Sequence, residues 1–272
     1  MRETDESLLN IEKQILEVLQ SIDKSSVSKE TQTLIDAIDR LTHYFGHRSK
    51  FEQEFSANVA HELRTPLSGI RLQTELAMSS QSHSLQENAH TNILTAVAHS
   101  ERLIEQLLTL SWLSIDPDGL VKAKVNIGQL SARVVGELVG LAESKGVKLA
   151  MSPWQDCFVQ ADEGCLSILL HNLIRNAIEY SPQGEKVTFQ VRDRKSHISL
   201  SVIDNGPGIP SDQHALVVER FKKVRGDLKS GSGLGLSIAK RICDLHGATL
   251  NFSKPSKTGG LEARVTFLAS SA

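Results

Sequence analysis

The 272-residue sequence has few cysteines, few aromatic residues and no excess of charge of either sign. Its three cysteines, Cys157, Cys165 and Cys243, form neither a CxxC pair nor a zinc-binding spacing, which suggests reduced thiols in a cytoplasmic protein. Lys and Arg number 30 and Asp and Glu 32, and this balance argues against a nucleic-acid binder. No apolar run approaches the roughly 18–20 residues of a transmembrane helix. The acidic N-terminus does not resemble a signal peptide, so we expect a soluble, intracellular chain.

The first 48 residues contain two short runs of apolar residues at helical spacing, separated by a polar segment at 23–31. The members of these runs are Leu8, Ile11, Ile15, Val18 and Ile22, then Leu34, Ile38, Leu41 and Phe45. The spacing of 3 and 4 fits two ordinary amphipathic helices, and it fits equally a parallel dimer with two short helices per chain.

Two longer helices are predicted next, over about 48–79 and 85–113, with a polar turn between them. Pro66 lies inside the first helix, where it removes a backbone hydrogen bond and is expected to cause a kink. One antiparallel hairpin of this kind cannot bury its apolar side alone, whereas two hairpins form a four-helix bundle. We therefore expect a homodimer.

The second half begins after a Pro- and Gly-containing linker at 114–120 and mixes helices with short strands. Helices are predicted over 130–146, 162–180 and 233–246. Strands are predicted over 147–151, 157–160, 186–193, 197–203, 248–253 and 260–268, with an irregular stretch at 204–231. This order indicates an α+β domain with helices on one face of a mixed sheet.

The predicted helix at 162–180 carries polar residues that suit a nucleotide-bound cation. Asn172 and Asn176 are four positions apart, so both amides project from one helix face. The neutral oxygen of Asn176 suits Mg²⁺, and Tyr180, further along, could stack on a base. Taken alone, the same spacing also fits a polar helix stripe.

Two glycine-containing segments follow. In VIDNGPGIP (202–210), Asp204 ends a strand and can accept a hydrogen bond from an exocyclic amine, while Gly206 and Gly208 permit a sharp turn. SGSGLGLSIAK (230–240) leads directly into a helix, whose N-terminal N–H groups can bind phosphate. It matches neither a P-loop nor the GxGxxG dinucleotide motif. Alone, the first segment is also compatible with a simple turn and the second with a linker.

In this order, the three segments resemble the N, G1 and G2 boxes of the GHKL ATPase superfamily, which has the Bergerat fold. The resemblance implies ATP and Mg²⁺ as cofactors, with Asn176 as the metal ligand and Asp204 on the adenine amine. ERF (219–221) resembles the F box of this superfamily, although Lys222 stands where Tyr is usual. The nucleotide-binding residues implied are Asn172, Asn176, Tyr180, Asp204, Gly206, Gly208, Phe221, Lys222, Gly231, Gly233 and Gly235.

One position separates the hydrolases of this superfamily from its kinases. The hydrolases carry a Glu four residues before the metal-binding Asn, and here that position is Asn172, which cannot act as a general base at neutral pH. HELRTPL (61–67) supplies another phosphoryl acceptor, because it resembles the H box of HisKA-type sensor histidine kinases. The resemblance implies that His61 accepts the phosphoryl group, that Glu62 accepts its proton, and that Thr65 orients water for dephosphorylating the partner. A lone helical His outside such a motif is usually structural or solvated.

The resemblance implies four segments: HAMP-like signalling helices at 1–48, a dimeric histidine-phosphotransfer hairpin at 49–113, a linker at 114–120 and a catalytic ATP-binding domain at 121–272. The implied partner is a response regulator, OmpR-like by default. HAMP modules usually follow a transmembrane helix, so we expect the cytoplasmic part of a bacterial inner-membrane sensor. Two alternatives remain open: a protein acting chiefly as a phosphatase of its regulator, and a non-catalytic dimerisation scaffold.

Overall fold

The structure, a computed structural model, describes residues 50–115, 120–153, 156–194, 196–224, 231–255 and 259–268. The predicted HAMP-like helices at 1–48 and most of the predicted linker lie outside the described residues. The chain divides into two compact units, Met1–Leu107 and Leu108–Ala272. In the described part, no helix has the length and hydropathy needed to cross a membrane.

The first unit contains the predicted helical hairpin. Helix α1 spans Lys50–Ser79 and α2 spans His83–Ile115, so the second unit begins within α2. The Gln86 amide donates to the carbonyls of Ala77 and Ser80 at 3.3 and 2.9 Å, and the Asn92 amide donates to Gln73 Oε1 at 3.3 Å. The donor further from the turn on α2, Asn92, pairs with the residue further from the turn on α1, Gln73. Helices α1 and α2 therefore run antiparallel, as the sequence predicts.

The apolar side of α1 is only partly buried within one chain. Phe55, Val59 and Leu63 are buried, and Pro66 lies within the helix. Leu72 and Leu76, further along, are 55% and 49% exposed. The single hairpin therefore leaves large apolar side chains of α1 uncovered.

The second unit contains two β-sheets. Its strands are β1 (Ala123–Asn126), β2 (Lys148–Met151), β3 (Phe158–Ala161), β4 (Lys186–Arg194), β5 (His197–Ile203), β6 (Thr249–Ser253) and β7 (Glu262–Leu268). Five of them form a mixed sheet in the order β2-β4-β5-β7-β6, in which β2 pairs parallel with β4 and the remaining pairs are antiparallel. A separate two-stranded sheet, β1–β3, was not predicted as such.

The helices of this unit are α3 (Ile127–Glu137), α4 (Val139–Ser144), α5 (Glu163–Tyr180) and α6 (Gly235–Leu245). The prediction of one helix over 130–146 is wrong, because the helix is interrupted at Leu138. The Leu138 N–H is shared between the carbonyls of Val134 and Val135, both at 3.2 Å, which tightens the turn. Gly136 and Gly140 flank the break and lower the helix propensity there.

Helix α5 supplies the centre of the core. Its apolar face is fully buried, and β4 presents alternate residues Val187, Phe189 and Val191 to the interior. Cys157, Cys165 and Cys243 are all buried free thiols. Burial raises the pKa of the Cys165 and Cys243 thiols to about 12. The predicted combination of a helical hairpin and an α+β domain is confirmed.

Candidate nucleotide and phosphoacceptor sites

Two amides of α5 lie against the start of α6. The Asn172 Nδ2 donates to the Ile168 carbonyl at 2.9 Å. A Cβ placed on Gly235 would stand 3.0 Å from Asn172 Oδ1 and 3.6 Å from Asn176 Oδ1. The side-chain amide of Asn176 forms no hydrogen bond with the described residues, so its oxygen can coordinate a cation. The N and G2 segments, about sixty residues apart in sequence, are therefore neighbours.

The first turn of α6 has the properties of a phosphate-binding site. The helix begins at Gly235, and no side chain caps its N-terminus. The N–H groups of a first helical turn lack intrahelical partners and carry a partial positive charge. Their position beside Asn172 and Asn176 allows one phosphate chain to meet both the helix terminus and a cation on Asn176.

Asp204 follows β5 and is only 5% exposed. Its Oδ1 accepts the N–H groups of Gly206 and Leu261, at 2.8 and 3.1 Å. Burial raises the pKa of this carboxyl, and the two N–H donors offset only part of that effect. No described residue donates to Oδ2, and a buried acceptor without a donor is uncommon. An exocyclic amine of a bound base would satisfy it.

Gly260, which was not predicted from the sequence as a site residue, packs against the backbone of Asp204. Gly260 has a φ of +82°, and a Cβ there would stand 2.0 Å from the Asp204 carbonyl oxygen. A Cβ on Gly208 would in turn stand 2.8 Å from the Gly260 carbonyl oxygen. The prediction of a strand from 260 is therefore wrong at its start, because Gly260 is a turn residue and β7 begins at Glu262. The adjacent glycines Gly259 and Gly260 are the sequence feature that could have indicated a turn here.

The F and G2 segments meet through their backbones. The Phe221 N–H donates to the Gly233 carbonyl at 3.0 Å, and a Cβ on Gly233 would stand 2.9 Å from Phe221 Cα. Phe221 has a φ of +61°, which is strained for a bulky residue. Lys222 is exposed, and a Cβ on Gly231 would meet nothing within 4 Å.

The remaining predicted pocket residues lie at the C-terminal end of α5, one turn beyond Asn176. A Cβ on Gly206 would stand 2.9 Å from the Tyr180 carbonyl oxygen, so the G1 turn packs on the end of this helix. The structure therefore brings Tyr180 and Gly206 together, next to Asp204. Among the described residues, no three His, Cys, Asp or Glu side chains form a metal-binding group.

The predicted phosphoacceptor lies on α1, in the first unit. His61 is exposed, and its imidazole forms no hydrogen bond with the described residues. The Thr65 hydroxyl, one turn further on, donates to the His61 carbonyl at 3.3 Å. Glu62 is partly exposed. An exposed imidazole with a free lone pair can act as a nucleophile.

Two protein-family models match the chain. The His Kinase A (phospho-acceptor) domain matches residues 51–114, and the histidine kinase-, DNA gyrase B-, and HSP90-like ATPase matches residues 161–270. Together they cover more than half of the sequence. The chain therefore belongs to the HisKA-type sensor histidine kinases, a family of protein-histidine kinases with a GHKL ATP-binding domain, and the resemblance found in the sequence is confirmed.

Curated relatives carry names consistent with this family. Sensor protein QseC of Salmonella typhimurium is 34% identical over 248 residues, which are 90% of this chain and 54% of that protein. Sensor protein kinase PmrB of Pseudomonas aeruginosa is 31% identical over 250 residues, which are 91% of this chain and 52% of that protein. The chain thus spans about half the length of these relatives.

Solved structures share the fold. ShkA, solved at full length in complex with AMPPNP, matches with a TM-score of 0.56 and 26% identity, over 80% of this chain and 47% of that one. Histidine kinase ThkA, solved in complex with response regulator protein TrrA, matches with a TM-score of 0.65 over 90% of this chain and 68% of that one. At 21% identity, the second likeness establishes the fold alone.

Proposed function

We propose that this chain uses Mg·ATP to phosphorylate its own His61 and then passes the phosphoryl group to an aspartate of a response regulator. The observation that carries the proposal is the residue at position 172. A neutral amide, already donating to the Ile168 carbonyl, lies beside the phosphate-binding helix terminus, where a hydrolase would hold a general base. A phosphoryl group bound there therefore needs an acceptor other than activated water.

Residues of the C-terminal half of α5, the G1 turn and the start of α6 would hold the nucleotide. Asp204 Oδ2 would accept the adenine amine, the first turn of α6 would bind phosphates, and the Asn176 amide oxygen would ligate Mg²⁺. When bound, Mg²⁺ neutralises charge on the phosphate oxygens. Tyr180 stacks against the nucleotide, and the exposed ammonium of Lys222 approaches the phosphates. The solved complex of ShkA with AMPPNP supports nucleotide binding by this fold.

His61 receives the phosphoryl group. A ring-nitrogen lone pair attacks the γ-phosphorus, an N–P bond forms, and the P–O bond to ADP breaks. The proton lost by the imidazole passes to the Glu62 carboxylate. The exposure of His61, and the absence of a hydrogen bond from its imidazole to the described residues, support this role.

The test is incubation with γ-labelled Mg·ATP beside His61→Gln. We expect label that is acid-labile, alkali-stable and absent from the variant. His83→Gln is the matched control, because His83 is an exposed helical histidine of the same hairpin, and it should keep the label. Label that survives in His61→Gln would overturn the assignment. Absence of both label and ATP binding by calorimetry would favour the scaffold alternative.

The partner that we propose is an OmpR-like response regulator. Membership of the sensor kinase family supports a regulator partner, and ThkA was solved with its response regulator. The longer protein would sit in the bacterial inner membrane with this part on the cytoplasmic side, as the HAMP-like pattern at 1–48 suggests. Copurification of the regulator and membrane fractionation of the natural protein test these two inferences.

A regulator phosphatase activity is the second candidate function, and Thr65 favours it. The Thr65 hydroxyl donates to the His61 carbonyl, which leaves its oxygen lone pairs able to orient a water molecule near the phosphotransfer site. Thr65→Ala should therefore leave autophosphorylation intact and remove dephosphorylation of the regulator. Thr74→Ala is the control, because Thr74 makes the same kind of bond to the Ile70 carbonyl. Loss of both activities in Thr65→Ala would contradict this separation.

We also propose that the chain is a homodimer. The support is the uncovered apolar side of the hairpin, which includes Leu72 and Leu76 on α1 and Leu94 on α2. A second hairpin would cover these side chains in a four-helix bundle.

A further inference from the structure

The polar residues in the second half of α5 form one stripe along the helix. They lie on the side opposite the buried apolar face, and all are partly exposed: His171, Asn172, Arg175, Asn176, Glu179 and Tyr180. The spacings of four and three residues from Asn172 to Asn176 to Glu179 place these side chains on successive turns of one face. The residues assigned to the nucleotide site therefore share this stripe with two charged residues, Arg175 and Glu179.

Glu179 is the carboxylate of the stripe and lies one turn beyond Asn176. Residues three positions apart on a helix have their Cβ atoms about 5–6 Å from each other. The side-chain oxygens of Asn176 and Glu179 can therefore converge on one Mg²⁺, which takes oxygen ligands at about 2.0–2.1 Å. The Glu179 side chain is 23% exposed, so its charge is partly shielded from water.

Arg175 forms an ion pair with Glu179 on the same stripe. Its Nη1 is 3.9 Å from Glu179 Oε1, which is beyond hydrogen-bond distance, and its side chain is 34% exposed. A carboxylate offers about four lone-pair positions, so this ion pair is compatible with binding of a metal ion. The Glu179 carboxylate thus has a cation beside it before any nucleotide binds, and it can take a second one.

The start of α6 makes the sign of the charge at position 179 important. A Cβ placed on Gly235, the first residue of α6, would stand 3.0 Å from Asn172 Oδ1 and 3.6 Å from Asn176 Oδ1. A phosphate chain at that helix terminus would therefore come close to the stripe. Metal-free ATP is strongly anionic and would be repelled by Glu179, whereas a cation between the carboxylate and the phosphates would be attracted by both.

We propose that the Glu179 carboxylate is a second protein ligand, together with the Asn176 amide oxygen, of the cation that accompanies ATP. The inference deepens the proposed function and rests on it. Mg²⁺ is usually bound by one or two carboxylates together with substrate phosphates, and Glu179 is the one carboxylate among the α5 residues that flank Asn176 on the stripe. Glu179 thereby makes nucleotide binding depend on the metal, because it opposes metal-free ATP and favours ATP with its cation.

The test measures how strongly Mg²⁺ promotes ATP binding. Calorimetry gives the Kd for ATP in EDTA and in millimolar Mg²⁺, and the ratio of the first to the second is the coupling factor. We expect the coupling factor to fall about 10-fold in Glu179→Gln, within the common range of coupling between two ligands. The variant loses a ligand from the Mg²⁺ complex and a repulsion from the metal-free one. An unchanged coupling factor would overturn the proposal.

Glu163→Gln is the matched control. Glu163 is also a carboxylate of α5 that pairs with an arginine, Arg133 at 2.6 Å. It lies nine positions before Asn172, which is two and a half turns and places it on the opposite side of the helix. Its removal takes one negative charge from the same helix and should leave the coupling factor unchanged.

Arg175→Gln separates the metal ligand from the ion pair. This variant breaks the contact with Glu179 but keeps the carboxylate, and it also removes a cation that would attract metal-free ATP. The coupling factor should therefore stay the same or rise. A fall as large as that of Glu179→Gln would assign the effect to the ion pair and overturn the proposal.

Mn²⁺ in place of Mg²⁺ reports on the metal directly, without kinase activity. In electron paramagnetic resonance titrations of the chain with AMPPNP, Glu179→Gln should bind Mn²⁺ about 10-fold more weakly, and Glu163→Gln should not. Circular dichroism verifies that the variants are folded. Equal Mn²⁺ affinity in folded variants that bind nucleotide would overturn this inference alone. Absence of ATP binding by the unaltered chain in Mg²⁺ would overturn the proposed function together with it.

Discussion

The carboxylate of Asp204, the proposed acceptor of the adenine amine, is buried at some cost to stability. It is almost fully buried, and one of its oxygens has no donor among the described residues. Burial raises its pKa in the folded chain, so the folded state holds a proton there more tightly than the unfolded state does. The contribution of Asp204 to the free energy of unfolding is therefore largest in acid. This contribution is lost as the pH rises from about 4, the ordinary pKa of an aspartate, through the raised pKa of the folded state.

Asp204→Asn separates binding from stability. The Asn oxygen can keep both backbone N–H bonds, but its NH₂ group would oppose the adenine amine, donor against donor. We expect ATP affinity to fall on the order of 10- to 100-fold, the worth of a hydrogen bond to a charged group. The melting temperature of the nucleotide-free protein should stay the same or rise at neutral pH. Calorimetric titration and thermal melts measure both, and unchanged ATP affinity would contradict the adenine assignment.

Gly259 and Gly260 provide a matched pair for the turn behind Asp204. Both have φ near +80°, but a Cβ meets the Asp204 carbonyl only at Gly260 and nothing within 4 Å at Gly259. Both alanine variants carry backbone strain, whereas only Gly260→Ala adds a steric clash. We expect Gly260→Ala to lose about 1–3 kcal/mol more unfolding free energy than Gly259→Ala in denaturant titrations. Equal losses of unfolding free energy in the two variants would show that the turn can shift to accommodate a Cβ at position 260.

Individual residue types supported hypotheses about the pocket, whereas contacts between distant segments could not be predicted from the sequence. Asn176, Asp204 and the G2 glycines could be proposed as site residues because amide, carboxylate and glycine each suit one part of a nucleotide. Gly260 could not, because its importance arises from a carbonyl 56 positions earlier in the chain. The pairing of Arg241 with Leu113 was equally invisible, since a bond to a backbone carbonyl leaves no mark on the partner's side chain.

The side chain of His246 connects the C-terminal end of helix α6 to the residue that caps α5. The His246 Nε2 accepts the N–H of Asp162, which caps α5, at 3.0 Å, so the ring donates from Nδ1 to the Ile242 carbonyl at 2.8 Å. This arrangement requires a neutral ring, and burial lowers the pKa of His246. The imidazole thus connects the end of α6 to the start of α5.

Acid should loosen this connection. The folded pKa lies below the unfolded value, so the contribution of His246 is complete above about 6.5 and declines as the pH falls. The melting temperature should therefore drop more steeply from about pH 7 to pH 5 in the unaltered chain than in His246→Gln, whose side chain does not titrate. Parallel curves for the two proteins would refute the role of His246.

Elements with strong periodicity were predicted almost to the residue, and weakly marked ones were not. Helix α5 and strand β5 match their predicted spans because long apolar patterns define them. Strand β1 was missed, since its four residues bury only Val125 and alternate too briefly to be distinguished. The division between α3 and α4 was missed because apolar residues continue across Leu138.

The proposed dimer depends on the side of the hairpin that one chain leaves open. Leu72→Glu with Leu76→Glu would place charges on that side, so we expect this double variant to be monomeric where the unaltered protein is dimeric. Val139→Glu is the control, since Val139 is an exposed apolar residue of the second unit, and it should not change the mass. Light scattering at micromolar protein measures both variants. A monomeric unaltered protein would contradict the dimer.

The burial of all three cysteines makes the native protein suitable for thiol-directed spectroscopy. A protonated thiol inside the core reacts slowly with maleimides and nitroxide reagents, because the thiolate is the reactive form. One cysteine introduced at an exposed position, such as Met78, could be labelled without first replacing the native three. Probe distances could then follow the hairpin and the ATP-binding unit through a catalytic cycle in an otherwise natural sequence.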